Sequence, residues 1–118
     1  MLQQLTAAQA QQYTLDDPVR AHLTAEFRTT QGREMWGLFE DSSSDPLAVI
    51  CVAYTDNIPT SELELDWFSG AGVDAVDTTA VFYTVWSYNR GAGRTIVNTL
   101  AQHIKQTRSE IAQWVTLS

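Results

Sequence analysis

The sequence predicts an α/β (α+β) domain: a mixed sheet with element order β-α-α-β-β-β-α-β, antiparallel through the first four strands and closed by a parallel βαβ unit. Three observations carry this. Residues 34–54 hold two apolar runs split by the polar turn Asp41-Ser42-Ser43-Ser44-Asp45, which reads as an antiparallel hairpin. Thr79 to Ser87 is rich in β-branched and aromatic residues and breaks at Asn89-Arg90-Gly91-Ala92-Gly93. Ile96, Val97, Leu100, Ala101 and Ile104 then fall on one helical stripe before a last apolar run, Ala112 to Leu117.

The elements follow in order. Met1 to Leu5 reads as a short first strand. Thr6 stands three residues before Gln9, a capping box that starts a helix through Tyr13. Asp17-Pro18 is a second start signal, Asp at the N-cap and Pro at the first helical position, with Val19, Leu23 and Phe27 on one face; Thr29 to Arg33 ends that helix. Glu34 to Glu40 and Pro46 to Tyr54 are the hairpin strands. Thr55 to Asp77 alternates Leu63, Leu65 and Trp67 with Glu64 and Asp66 and then meets Gly70-Ala71-Gly72, so it reads as an irregular insert holding a short strand or a helical turn. Strand 79–87, helix and strand 112–117 make the βαβ unit.

One domain over residues 1–118 accommodates this order, with a small core. No apolar run approaches the roughly 20 residues that span a bilayer, and Met1-Leu2-Gln3-Gln4-Leu5 lacks the parts of a signal peptide, so a cytoplasmic location is expected. Cys51 is the single cysteine and reads as buried strand, which leaves no internal disulfide. His22 and His103 have no second ligand type near them in sequence, so no metal site is expected.

Charge singles out one region. The chain carries a net charge of −7, yet from Thr78 to Ser109 it has no Asp or Glu and holds Arg90, Arg94, Lys105 and Arg108. A global acidity of this size repels an extended polyanion, and no basic stripe exists for a nucleic-acid backbone, so a small phosphate-bearing ligand is the expected partner. Glycines at a strand-to-helix turn let first-turn N–H groups face such an anion with the helix dipole behind them. Gly91-Ala92-Gly93-Arg94-Thr95-Ile96 lacks the third glycine of a dinucleotide fingerprint, and no Gly-Lys-Ser or Gly-Lys-Thr follows as a P-loop requires.

Tyr88-Asn89-Arg90-Gly91-Ala92-Gly93, together with the order of elements, resembles the GNAT superfamily of acyl-CoA-dependent N-acetyltransferases. Its signature here is Gln or Arg, two residues, Gly, one residue, then Gly or Ala. Both glycines match; Tyr88 departs at the first position. The resemblance implies acetyl-CoA or another acyl-coenzyme A as co-substrate, with Trp86, Ser87 and Tyr88 offering backbone groups to pantetheine. Asn89, Arg90, Gly91, Ala92, Gly93 and Arg94 would surround the pyrophosphate. It implies acyl transfer to a primary amine of unknown identity, which needs a base for the amine and an acid for the leaving thiolate.

For the base, strand 79–87 has no carboxylate, and Asp77 and Asp74 stand just before it, with Glu64 and Asp66 as alternatives; for the acid, Tyr88 is the candidate and Tyr83 a second hydroxyl. A full GNAT domain continues through a further helix and two strands. The resemblance therefore implies a shortened domain, or a homodimer whose second copy covers the open edge near Trp114, Trp67 and Phe68. A non-catalytic interaction domain on the same fold, and an unrelated α/β binding module, remain open alternatives.

Overall fold

The structure, a computed structural model, describes residues 1–30, 32–40, 45–69 and 77–117. A single five-stranded sheet runs β1 (Leu2–Gln4), β2 (Arg33–Phe39), β3 (Pro46–Thr55), β4 (Thr79–Ser87) and β5 (Gln113–Thr116), in that spatial order. The first four strands pair antiparallel, and β5 lies parallel to β4. Helices α1 (Ala7–Ala10), α2 (Ala25–Thr29), α3 (Glu62–Ser69) and α4 (Ala92–Thr107) complete the fold, with a single 3-10 turn at Thr14–Asp16. Among the described residues no helix is long and apolar enough to cross a membrane.

Two apolar layers cover the sheet. On one face Ile50, Val52, Tyr54 and Phe82 pack against Ile96, Leu100 and Ile104 of α4. On the other, Met35, Val49, Cys51, Val81, Tyr83 and Trp86 pack toward Ala10 and Leu65 of α1 and α3. β3 is buried on both faces, which is why its sequence is a continuous apolar run rather than an alternating one.

Two expected elements differ. Asp17-Pro18 does not open a helix: residues 18–20 form a turn, Val19 is 69% exposed, and α2 begins only after Thr24, whose hydroxyl accepts the N–H of Phe27. The Asp17 carboxylate does accept the N–H groups of Val19 and Arg20, both at 2.9 Å, as a cap should. The buried Arg28 then removes the carbonyls a continuing helix would need, since its guanidinium donates to Arg20 O at 2.8 Å and Leu23 O at 3.1 Å. One turn forms and stops.

The insert between β3 and β4 holds a helix. Ser61 Oγ accepts the N–H of Glu64, and α3 buries Leu65 and Ser69, one helical turn apart, while Leu63 and Trp67 stay exposed. The alternation of Leu63, Leu65 and Trp67 is thus not a strand face. Gly32 makes the close approach possible: at φ +84° its missing Cβ would lie 2.2 Å from Ser69 O. Asp74 and Gly70-Ala71-Gly72 lie outside the described residues.

Candidate functional site

β4 and β5 share only four residue pairs, Thr79 with Gln113 through Phe82 with Thr116, while β4 continues to Ser87. Past Phe82 the strands part. A register shift opposite Cys51 and Val52 leaves Tyr83 as an extra residue, so Tyr83 and Thr84 both face the α1 and α2 side. At the far end the N–H of Tyr88 donates to Leu47 O at 2.8 Å. The two-residue alternation then points the backbone of Trp86 toward β3 and those of Val85 and Ser87 away from it, to the edge where β5 is absent.

Beyond that edge Gly91 starts α4 at φ +83°, ψ −11°, with no side chain capping the helix. The N–H of Ala92 bonds Asn89 O, and Thr95 N–H bonds Gly91 O. Those of Gly93 and Arg94 have no protein partner among the described residues, and neither do the side chains of Arg90 and Arg94. A Cβ on Gly93 would sit 3.5 Å from Ser87 Oγ, an ordinary contact, so strand end and helix start lie side by side. The open N–H groups of Gly93 and Arg94 and the side chains of Arg90 and Arg94 thus lie along one rim beside the end of β4.

The two candidate catalytic residues are not brought together. Tyr88 turns toward the 3-10 turn: its hydroxyl accepts from Trp86 Nε1 at 3.0 Å and donates to Asp16 at 2.6 Å, with Tyr13 edge-on at 6.5 Å. Burial, and then the Asp16 carboxylate, push its phenol up to about 12. Tyr13, Asp16 and Tyr88, with Glu40 and Asn89, line an acidic hollow of about 550 Å³ that flanks the turn. Asp77 stands at the other end of β4, about 30 Å of strand away. There it shares a hollow of about 430 Å³ with Arg33, Glu34, Tyr54 and Arg108, and burial, then the charge of Asp56, raises its carboxyl.

The other carboxylate candidates are engaged elsewhere. Glu64 accepts from the N–H and hydroxyl of Thr60, and Asp66 pairs with Arg33 at 2.7 Å. Tyr83 is buried, and burial, then the neighbouring Cys51, drives its phenol well above the usual range. Cys51 is buried as expected; burial pushes its thiol up to about 11 against the pull of Arg28, whose guanidinium lies 3.4 Å from the sulfur. His103 sits edge-on to Trp36. Among the described residues no group of three or more His, Cys, Asp and Glu is placed to hold a metal ion.

The parting of β4 and β5 is instead occupied by residues that sequence reasoning passed over. Arg20 Nε donates to Tyr83 O at 3.0 Å and its Nη2 to Leu117 O at 3.2 Å, so the guanidinium sits in the fork between the strands. Nη1 meets Glu62 at 2.8 Å, and the other oxygen of Glu62 meets His22 Nε2 at 2.6 Å. The hydrogen bond from His22, with the Arg20 charge beside it, outweighs partial burial and holds the Glu62 carboxyl below its ordinary value. No local signal announces this trio, because these contacts join residues 40 to 97 apart in sequence.

A mixed five-stranded sheet whose last, parallel pair opens beside a glycine-started helix is the GNAT-like fold. Solved structures share it. A ribosomal-protein-alanine N-acetyltransferase from Brucella melitensis biovar Abortus 2308 superposes with a TM-score of 0.62 at 11% identity, over 99% of this chain and 78% of its own. Malonyl-CoA decarboxylases from Cupriavidus metallidurans and Rhodopseudomonas palustris superpose with TM-scores of 0.70 and 0.66 at 17% and 23% identity. Both cover all of this chain, which spans 30% of the length of each decarboxylase chain. No family model matches the sequence, and no curated protein matches it.

Proposed function

We propose that this chain binds an acyl-coenzyme A, with acetyl-CoA as the reference ligand, and transfers the acyl group to a primary amine. The observation that carries the reading is the rim formed by the free edge of β4, the open N–H groups of Gly93 and Arg94, and the side chains of Arg90 and Arg94, which have no partner among the described residues. Asn89 to Arg94 surround the pyrophosphate, amide donors and helix dipole facing the anion. Val85 and Ser87, rather than Trp86 and Tyr88, offer backbone groups to pantetheine, since the latter pair faces β3. That two similar folds are named for malonyl-CoA and a third for N-acetyl transfer supports the coenzyme class.

Acyl transfer needs a proton acceptor, and His22 with its ring held by Glu62 is the acid–base pair attached to the fork. The test of binding is a titration of the purified protein with acetyl-CoA, followed by heat and by melting temperature. At about 100 times its dissociation constant the ligand stabilises the fold by roughly 2.7 kcal/mol, several degrees in a domain of this size. No shift at millimolar ligand removes the reading.

A second reading, a GNAT-like domain that binds without catalysis, is favoured by one arrangement: the Tyr88 hydroxyl is tied to Asp16, and Asp77 is at the opposite end of β4. Acetyl-CoA binding without thiol release in the presence of primary amines selects it. We further propose pairing of two copies along the outer edge of β5, which has no strand neighbour among the described residues; light scattering showing only monomer at micromolar concentration removes that proposal.

A further inference from the structure

A hollow of about 680 Å³ opens between α1, the 3-10 turn and α2. Ala7, Ala8, Ala21 and Ala25 give it walls without bulk, and Leu15 and Leu23 add apolar surface. Leu15 is 84% exposed, so a hydrocarbon laid against it removes apolar surface from water. The ionisable residues of the lining are His22 and Glu26. His22 Nε2 lies 2.6 Å from Glu62, whose other oxygen meets Arg20 at 2.8 Å, and Arg20 holds Tyr83 O where β4 and β5 part. One side chain thus belongs both to the hollow and to the assembly at the strand ends.

The lining decides which amine enters. The acidic hollow beside the turn, with Asp16 and Glu40, suits a ligand of more than one positive charge, but no histidine lines it. The hollow between α1 and α2 offers a single carboxylate, Glu26, over an apolar floor. We infer that this second hollow takes a primary amine with an apolar body, its ammonium group at Glu26 and His22 and its hydrocarbon along the alanines and Leu15. The use of such a ligand as acyl acceptor rests on the acyl-transfer reading above, which this inference sharpens to a lipophilic monoamine in place of a polyamine.

The experiment titrates the unmodified protein, at fixed pH and ionic strength, with ethylamine, butylamine and hexylamine, and with hexanol and hexamethylenediamine as controls. Binding is read by NMR from the rings of the two histidines, His22 in the hollow and His103 against Trp36 on the α4 face of the sheet. Only the His22 signals are expected to move, and affinity is expected to rise about threefold for each methylene added, the scale of burying a CH₂ group. Hexanol lacks the ammonium group and the diamine carries a second charge at its apolar end, so each is expected to bind about fivefold more weakly than hexylamine. A flat series, a control that binds as well as hexylamine, or shifts confined to His103 overturns the inference. Ala21→Phe, at an exposed position, fills the hollow and is expected to abolish the hexylamine response while leaving acetyl-CoA affinity within about twofold; Ala8→Phe is a second filling variant. A folded filling variant that keeps the response overturns the assignment to this hollow, and if neither folds the series on the unmodified protein decides alone. Hexylamine binding with no binding of acetyl-CoA removes the acyl-CoA reading and leaves the amine site standing; acetyl-CoA binding with no hexylamine binding does the reverse.

Discussion

Arg28 and Arg20 stand eight residues apart, both buried, and they are held in opposite ways. Arg28 is fully enclosed. It donates to Leu23 O, Arg20 O, the Asp17 carboxylate and the Cys51 sulfur, and its guanidinium lies 5.6 Å from the centre of the Trp86 ring. Arg20 is anchored by its backbone and reaches into the fork, where its guanidinium meets Tyr83 O, Leu117 O and Glu62. The contrast separates two uses of a buried cation. One fixes the shape of the loop from Asp17 to Leu23, and the other ties two parting strands to each other and to α3.

Breaking the enclosed arginine's pair should produce the largest effect. Asp17→Ala leaves Arg28 charged and buried without its counter-ion and removes the cap of the turn, a loss of about 3 to 5 kcal/mol in chemical denaturation. Arg20→Gln should cost less, about 2 kcal/mol, because Glu62 keeps His22 as a partner and the fork is near solvent. Equal losses for the two variants would erase the distinction between the arginines.

Acid sharpens the comparison from another side. Burial alone would raise the Asp17 carboxyl, but the N–H groups of Arg20 and Val19, then Arg28 and Thr84, outweigh it and hold it below the ordinary carboxylate value. A group with a lowered folded-state pKa contributes stability above its unfolded value, about 3.9, and loses it as pH falls through the folded value. The stability gap between the native protein and Asp17→Asn should accordingly be flat at neutral pH and shrink only below about pH 4. A gap that instead changes between pH 6 and 8 would overturn the assignment to Asp17. The smallest effect is expected at the turn: Gly91→Ala meets open space, so only its left-handed backbone is penalised, by about 1 kcal/mol.

Local chemistry made much of this molecule readable. The capping box at Thr6 forms, β2 and β3 pair antiparallel, and the stripe from Ile96 to Ile104 is the buried face of α4. Those features are settled within a few residues of chain, by hydrogen bonds of short reach and by the period of the apolar positions. The glycine turn was readable for the same reason. What was not readable depends on distant groups. Asp17-Pro18 carries a sound helix signal, defeated by an arginine eleven residues on that reaches back for the carbonyls. The helix at Glu62 was masked by an alternation that only the packing of Leu65 and Ser69 resolves. Asp77 precedes β4 in sequence, and nine extended residues carry it to the wrong end for the turn.

The fork also bears on how the chain reaches this state. Strands β1 to β4 are added in sequence order, each beside the one before it, so most of the sheet is assembled by neighbours along the chain. The last step is different. β5 pairs over four residues only, and the clasp at its end joins Arg20 to Leu117, 97 residues apart. Closing a loop of that length incurs a large entropic penalty before any contact offsets it. β5, held by four residue pairs and this clasp, is the strand expected to lose amide protection first in hydrogen exchange. A fork built this way joins segments distant along the chain, so it exists only in the folded state.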